Sequence, residues 1–315
     1  MMRQTKPESP KPPGVISTIA AGFDLITSHL WLILLPVLLD LLLWLGPRLG
    51  AATLMQQNLS LLADQEMFAT FVEQSAALAP RINMLTMLSF PLIGVPALMT
   101  GPAPEKTPIP AAVVEIVSMP TWFALFLLLN MAGLLLAALY YNLLAHTLRG
   151  EPFDLAAFAQ RLARSALKLF GLVFIFGLSL AAVGVALLPV ALILALFGLG
   201  PATLIFLSGA AAMWLAIYLS FSIHGIVLDD AGIFPAMLTS IRLVQTHIWP
   251  VLLLLLGLIL VGGGLNTLWR QVDNGSWLTL VSLFGHGFIS TALVMSTFIF
   301  YRARVPRDRT PASLS

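Results

Sequence analysis

Asp40 is the residue best placed to do chemistry. It stands in the apolar run Leu38–Leu39–Asp40–Leu41–Leu42, where a carboxylate is costly unless it is paired or protonated. Asn130 and His286 interrupt two other apolar runs. Counted inward from the same side of a membrane, each lies about nine residues deep and Asp40 about eight, or ~13 Å at helical rise. The spacing therefore predicts one polar cluster of Asp40, Asn130 and His286. Such a cluster can handle a proton or a solute, or it can be a hydrogen-bonded knot that ties three helices together. The knot is the preferred reading.

A second constellation is cationic. Arg161, Arg164 and Lys168 recur at helical spacing and line one face. Beside a membrane such a stripe attracts anionic lipid headgroups, by about 1 kcal/mol per charge. It serves equally as a topology signal. His146, Tyr140, Tyr141 and Asn142 fall towards the end of an apolar run and read as interfacial anchors, as do His29, His224 and His247.

Other chemistries find no support. The chain has no cysteine, which excludes disulfides, thiolate metal sites and cysteine nucleophiles. Its five histidines are scattered, without the HExxH spacing of a metal site. Gly262–Gly263–Gly264 has no following lysine and is not a phosphate loop. Gly171, Gly177 and Gly184 suit close helix packing. No nucleophile–base set stands out, so neither an enzyme nor a cofactor is expected. The net charge is only +2, which gives no reason to expect nucleic acid as a partner. Membrane lipids are the expected partners.

The elements that position these residues are apolar. Hydrophobic residues make up 59% of the chain and charged ones 10%, against roughly 25% charged in soluble domains. A helical span needs about 20 apolar residues. Six runs read as spans, at about 30–45, 121–148, 169–188, 202–225, 248–268 and 277–301, the first of them short. The fold class is thus all-α: a polytopic transmembrane bundle of six spans, arranged as three hairpins. An amphipathic helix precedes each hairpin: 15–28, 151–168 and, after the acidic turn Asp229–Asp230, the stretch that leads to the span at Ile248. In the first, Val15, Ile16, Ile19, Phe23 and Ile26 form the apolar stripe, with Thr18 and Asp24 off it. In the third, Phe234, Met237, Leu238, Ile241 and Val244 face one way, and Thr239, Arg242 and Thr246 the other. These helices are expected to lie in the interface plane.

Residues 1–14 read as a disordered tail, 15–301 as one membrane domain and 302–315 as a basic tail. Within the domain, 49–120 is an excursion outside the membrane. Met84–Thr100 is uncharged but short and is interrupted by Pro91, Gly94 and Pro96. It is either re-entrant or surface-lying. With six spans and the N-terminus inside, twelve of the sixteen basic residues fall inside and four outside. That bias places both termini in the cytoplasm, at the plasma membrane. Trp31 and Trp249 then sit at the inner interface, and Trp44, Trp122, Trp269 and Trp277 at the outer one.

Three junctions between amphipathic helix and span read Leu25–Ile26–Thr27–Ser28–His29–Leu30, Leu162–Ala163–Arg164–Ser165–Ala166–Leu167 and Leu243–Val244–Gln245–Thr246–His247–Ile248. Leucine opens each, a hydroxyl residue is fourth and an aliphatic is sixth. The first and third share His followed two residues later by Trp. This predicts an internal repeat of three units.

The stretch Ile226–Leu256 resembles the signature of a loosely defined prokaryotic multi-pass family, related to the membrane domain beside some glycerophosphodiester phosphodiesterases. Asp229–Asp230 stand where that family has an acidic turn. Ser240–Ile241–Arg242–Leu243 match its Ser–x–Arg–Leu-like element, and Pro36, Asp40 and Gly46–Pro47 resemble its start. The resemblance implies a six-span membrane protein and little about activity. The chain has no room for the phosphodiesterase barrel, and no catalytic residue carries over. The expected function is a non-enzymatic scaffold or accessory subunit acting through lipids or a partner. The alternative is a small-solute or lipid carrier with a midplane polar site around Asp40.

Overall fold

Long uninterrupted apolar runs leave helix as the structure that satisfies every backbone polar group in a bilayer. The computed structural model describes residues 12–61, 69–90, 93–198 and 201–305. Residues 1–11 and 306–315, the bulk of the two expected tails, lie outside them. Among the described residues, five helical segments are long and apolar enough to cross a membrane, and a bent pair supplies a sixth. These are α5 (Met119–Arg149), α6 (Leu155–Leu196), α7 (Pro201–Leu219) continued by α8 (Ser222–Leu228), α10 (Ile248–Trp269) and α11 (Thr279–Arg304). The bent pair is α1 (Val15–Ser28) and α2 (Leu34–Leu45), joined by a 3-10 turn at Leu30–Ile33 and meeting at 97°. The all-α polytopic bundle expected from the sequence is the architecture observed.

Amphipathic helices α1 and α9 (Ile233–Thr246) are built alike. Each has 14 residues, starts after an extended glycine, Gly14 or Gly232, and ends at a histidine. His29 (φ −136°, ψ 52°) and His247 (φ −130°, ψ 37°) leave the helical region in nearly the same way. The ring of His29 reaches back to the Leu25 carbonyl at 3.0 Å. That of His247 meets the Thr246 hydroxyl at 2.8 Å.

The middle unit departs from the expected plan. Residues 151–168 do not form a separate interfacial helix, because α6 runs unbroken for 42 residues, ~63 Å at helical rise. The reason lies at the junction. Ala166 stands where the others have histidine, and alanine is the strongest helix former. Pro189 is carried inside α6 without ending it.

The faces of α1 and α9 follow the sequence reading in part. Ile26 and Val244 are buried, Ile19, Phe23 and Met237 pack half-buried against the core, and Asp24, Arg242 and Thr246 are exposed. The centre of each inward face, however, is made of smaller residues. The buried residues of α1 are Thr18, Gly22 and Ile26, and Ile16 is exposed. In α9 they are Ala236, Ser240, Leu243 and Val244, with Phe234 and Leu238 exposed. Small and hydroxyl residues let backbones approach closely inside a membrane bundle, while large apolar side chains lose nothing by facing lipid. Gly22 makes this concrete. A Cβ there would come within 2.5 Å of the Ala292 carbonyl oxygen and against the Ser296 hydroxyl on α11. On α9 the Ser240 hydroxyl donates to the Tyr218 carbonyl at 2.6 Å and accepts from the Phe221 N–H, bracing the break between α7 and α8.

The excursion is tied at both ends. Strand β1 (Arg48–Gly50) pairs in parallel with β2 (Val113–Glu115), Arg48 opposite Val113. Glu115 accepts the Thr53 N–H at the start of α3 (Ala52–Ser60), and α4 (Ala69–Leu78) follows. Met84–Thr100 then folds into 3-10 turns at Met84–Leu88 and Leu98–Thr100, packed between α2 and α5. A Cβ on Gly133 would lie 2.6 Å from the Met87 carbonyl oxygen. Gly133 is about 21 Å along α5 from its start, so this segment descends deep beside the helix and turns back. Non-helical backbone at such depth is tolerated when protein buries it, and Met84, Val95 and Leu98 are buried.

The starts of α1 and α6 and the ends of α5, α8 and α11 gather at one end of the bundle, here called basal. Arg304 donates to the Pro13 carbonyl at 2.7 Å, and Arg302 to that of Leu148. The aromatic core lies nearby, with Phe221 stacked on Phe300 and Tyr141 on Phe298. The far halves of α6 and α7 stand exposed, Leu192 and Phe206 among them.

Candidate functional site

At the basal end the chain turns sharply three times, and each turn delivers charge. Helix α5 ends at Gly150, whose left-handed backbone (φ 68°) suits glycine. Arg149 and Glu151 flank it. Asp154 then starts α6, its Oδ1 accepting the Ala156 N–H at 2.9 Å and the Ala157 N–H at 3.3 Å. Helix α8 ends at Asp229 and Asp230, and Asp230 is the only non-glycine residue described with a positive φ (50°). Aspartate tolerates that region better than most residues.

These turns flank a half-open cavity of about 330 Å³, within the ~300–1,000 Å³ of small-molecule sites. Arg149, Glu151, Arg161, Arg164, Asp229 and Asp230 supply its charges, and Asn142, Ser165 and Ile226–Leu228 its remaining walls. Glu151 sits 2.6 Å from Arg161 and 3.5 Å from Arg149. Asp230 takes Arg164 at 3.3 Å and bonds Lys168 as well. Arg149 also donates to the Val227 carbonyl at 3.1 Å, and Tyr301 donates to Asp229 at 2.9 Å. The hydrogen bond from Arg161, with the charge of Arg149 behind it, holds the Glu151 carboxyl below the usual carboxylate range. Lys168, and then Arg164, do the same for Asp230.

Thus the basic stripe and the acidic turn, both visible in the sequence, come together as one site. Asn142 forms its floor, donating to the Ala138 carbonyl at 2.7 Å and the Ser165 hydroxyl at 2.6 Å. The anchoring role expected of Asn142, Tyr140, Tyr141 and His224 is not what the structure shows, because all four are buried. Tyr140 donates to Thr291 at 3.1 Å. His224 packs 4.4 Å from the Phe298 ring and contacts the Thr297 hydroxyl at 2.7 Å. The ends of these runs are walled by neighbouring helices rather than by lipid headgroups.

The second site is at the opposite end, around Asp40. Its side chain is fully buried, and Oδ1 accepts the Met99 N–H of the re-entrant segment at 2.8 Å. Arg270 lies within electrostatic reach of Asp40 and of His286, and its guanidinium extends to the Leu98 carbonyl at 3.5 Å. Arg270 is one of the four basic residues that fall outside on the six-span topology. Asn130 goes elsewhere: its amide donates to Phe126, one turn back on its own helix, at 2.7 Å. The Met84–Leu88 turn packs against both α2 and α5. Asp40 is therefore bonded to the excursion, and no hydrogen bond described links it to Asn130 or His286. Asp40 Oδ2, Ser282 Oγ and His286 Nε2 are buried without a hydrogen-bond partner among the described residues. No group of three potential metal ligands occurs among those residues either. Compared with known families, curated proteins and solved structures, the chain matches none.

Proposed function

We propose that the protein is a membrane scaffold or accessory subunit that acts through phospholipid headgroups held at the basal cavity. The observation that carries this reading is the convergence of three guanidinium groups where α6 turns from charged to apolar. After Lys168 no charged residue occurs until Asp229, and Leu167 and Phe174 are exposed there. Arginine forks suit phosphate oxygens. The basic bias assigns the basal end to the cytoplasmic face of the plasma membrane, with both termini on that side. The matched geometry of α1 and α9 supports a duplicated unit, whose middle copy lost its break at Ala166. Kinship with the phosphodiesterase-associated membrane domains, read from Asp229–Asp230 and Ser240–Leu243, belongs to the same proposal.

Native mass spectrometry of the purified protein tests it. Wild type should retain phospholipid in mild detergent. An Arg161→Gln, Arg164→Gln double variant should lose it, and Arg242→Gln, whose exposed side chain does not line the cavity, should not. Equal retention in all three sinks the lipid reading. The carrier alternative draws on the partnerless atoms of Asp40 and His286, and it requires water to reach the depth of Asn130.

A further inference from the structure

We infer that the basal cavity selects a zwitterionic headgroup, a phosphate joined to a primary ammonium, as in an ethanolamine phospholipid. This rests on the lipid reading above and narrows its chemistry.

Charge composition is the first argument. The cavity is lined by three guanidinium groups, Arg149, Arg161 and Arg164, and three carboxylates, Glu151, Asp229 and Asp230, with Lys168 bonded to Asp230 beside it. A simple anion would pair with the cations but meet the carboxylates as repulsive neighbours. A guest that carries both signs can pair with both.

The arrangement of the charges is the second. Glu151 with Arg149 and Arg161 marks the α5–α6 turn, and Asp230 with Arg164 and Lys168 marks a level further along α6. Both signs are therefore offered at two levels. Glu151 and Asp230 are 42% and 49% exposed, so their ion pairs are individually weak and can re-partner with a guest. Guanidinium takes phosphate through paired N–H groups. The carboxylates accept ammonium N–H groups. The floor adds an acceptor, because Asn142 commits its amide nitrogen to Ala138 and Ser165 and no hydrogen bond described engages its Oδ1.

The third argument separates ethanolamine from choline. A quaternary ammonium donates no hydrogen bond and is held by aromatic cages. Among the described residues, no aromatic ring lines this cavity.

Binding to the full-length protein in detergent, followed by native mass spectrometry, gives the test. The probes are dioleoyl-phosphatidylethanolamine, the matching phosphatidylcholine and phosphatidylglycerol, and soluble phosphoethanolamine. The ethanolamine lipid should bind roughly tenfold tighter than the other two, the worth of one charge-assisted hydrogen bond. Glu151→Gln should abolish the preference, bringing the affinities for ethanolamine and choline lipid to about the same value. Tighter phosphatidylglycerol, or an unchanged preference in Glu151→Gln, overturns the zwitterion inference and leaves the lipid reading standing. If no lipid binds above an unrelated membrane protein, both fall. Displacement of ethanolamine lipid by an equal concentration of phosphoethanolamine would uphold the headgroup chemistry and overturn its lipid source. No displacement at hundredfold excess supports the lipid.

Discussion

Four glycines that look alike in the sequence should respond oppositely to alanine. Gly22 and Gly133 lie where two backbones touch. A Cβ on Gly22 meets the Ala292 carbonyl oxygen at 2.5 Å, and one on Gly133 meets those of Met87 and Leu88 at 2.6 and 3.0 Å. Gly177 and Gly184 have no such neighbour within 4 Å. In a helix interior alanine gains about 0.5–1 kcal/mol over glycine. Forcing a methyl group into filled space costs about 1–3 kcal/mol, and here the obstacle is backbone rather than a side chain that can swing away. Gly133→Ala and Gly22→Ala should therefore lose roughly 1–2 kcal/mol net. Gly184→Ala and Gly177→Ala should gain a few tenths up to about 1 kcal/mol. At about 2–4 °C per kcal/mol the two pairs should move apart by several degrees. Intrinsic tryptophan fluorescence reports the transition without labels, since the chain has seven tryptophans. A Gly133→Ala protein as stable as wild type would refute the packing of the re-entrant segment against α5. Destabilised Gly184→Ala would show that the far half of α6 is covered in the native assembly.

Three further outcomes follow from the sites. Asp40→Asn keeps an acceptor for the Met99 N–H and should stay within about 1 kcal/mol of wild type, whereas Asp40→Leu strands that N–H and should lose about 1–3 kcal/mol. Thermal melting separates them, and a leucine variant more stable than the asparagine one would remove the clamp argument. A single cysteine at Asn130 should resist a membrane-impermeant maleimide in intact cells while one at Thr107 is labelled; labelling at 130 would favour the carrier. Glu151 and Asp230 have carboxyls held below their ordinary range. Their ion pairs therefore contribute above the unfolded carboxylate pKa of about 4 and lose that contribution as pH falls through the lower folded value. The melting difference between wild type and Glu151→Gln, Asp230→Asn should be present at neutral pH and vanish in acid. A difference that persists in strong acid would mean the pairs are not its source.

The spans were readable because a bilayer admits few solutions, and run length alone finds them. The faces of α1 and α9 were legible only in part. Ile26 and Val244 turn inward as their spacing predicts, but large apolar side chains can also face lipid, so size and apolarity alone do not choose the side. In a soluble protein Ile16, Phe234 and Leu238 would face inward. Here they are exposed, and Thr18, Gly22 and Ser240 are buried in their stead. The middle unit misled differently. Its junction kept the leucine and the hydroxyl residue of the other two, but it lacked the histidine at which they leave the helix. There the helix runs on through Ala166 into the span.

The candidate sites show the same division between depth and direction. Residue counting placed Asp40 and Asn130 at similar depth from sequence alone. It could not give the rotation of each helix about its own axis. That rotation turned Asn130 towards Phe126, one turn back, and Asp40 towards Met99, 59 residues away. A buried amide can be satisfied by its own helix, so Asn130 needs no partner across the bundle. A carboxylate has no donor to use on its own helix, so Asp40 must find one elsewhere. The donor came from the non-helical segment, where backbone N–H groups are not consumed by helix bonds. On this reasoning, a buried acid in a span points to irregular backbone nearby before it points to another side chain. The basal site follows the same rule of supply. Asp230 leaves the helical region just past the end of α8, so its carboxylate projects towards the face of α6 where Arg164 and Lys168 wait.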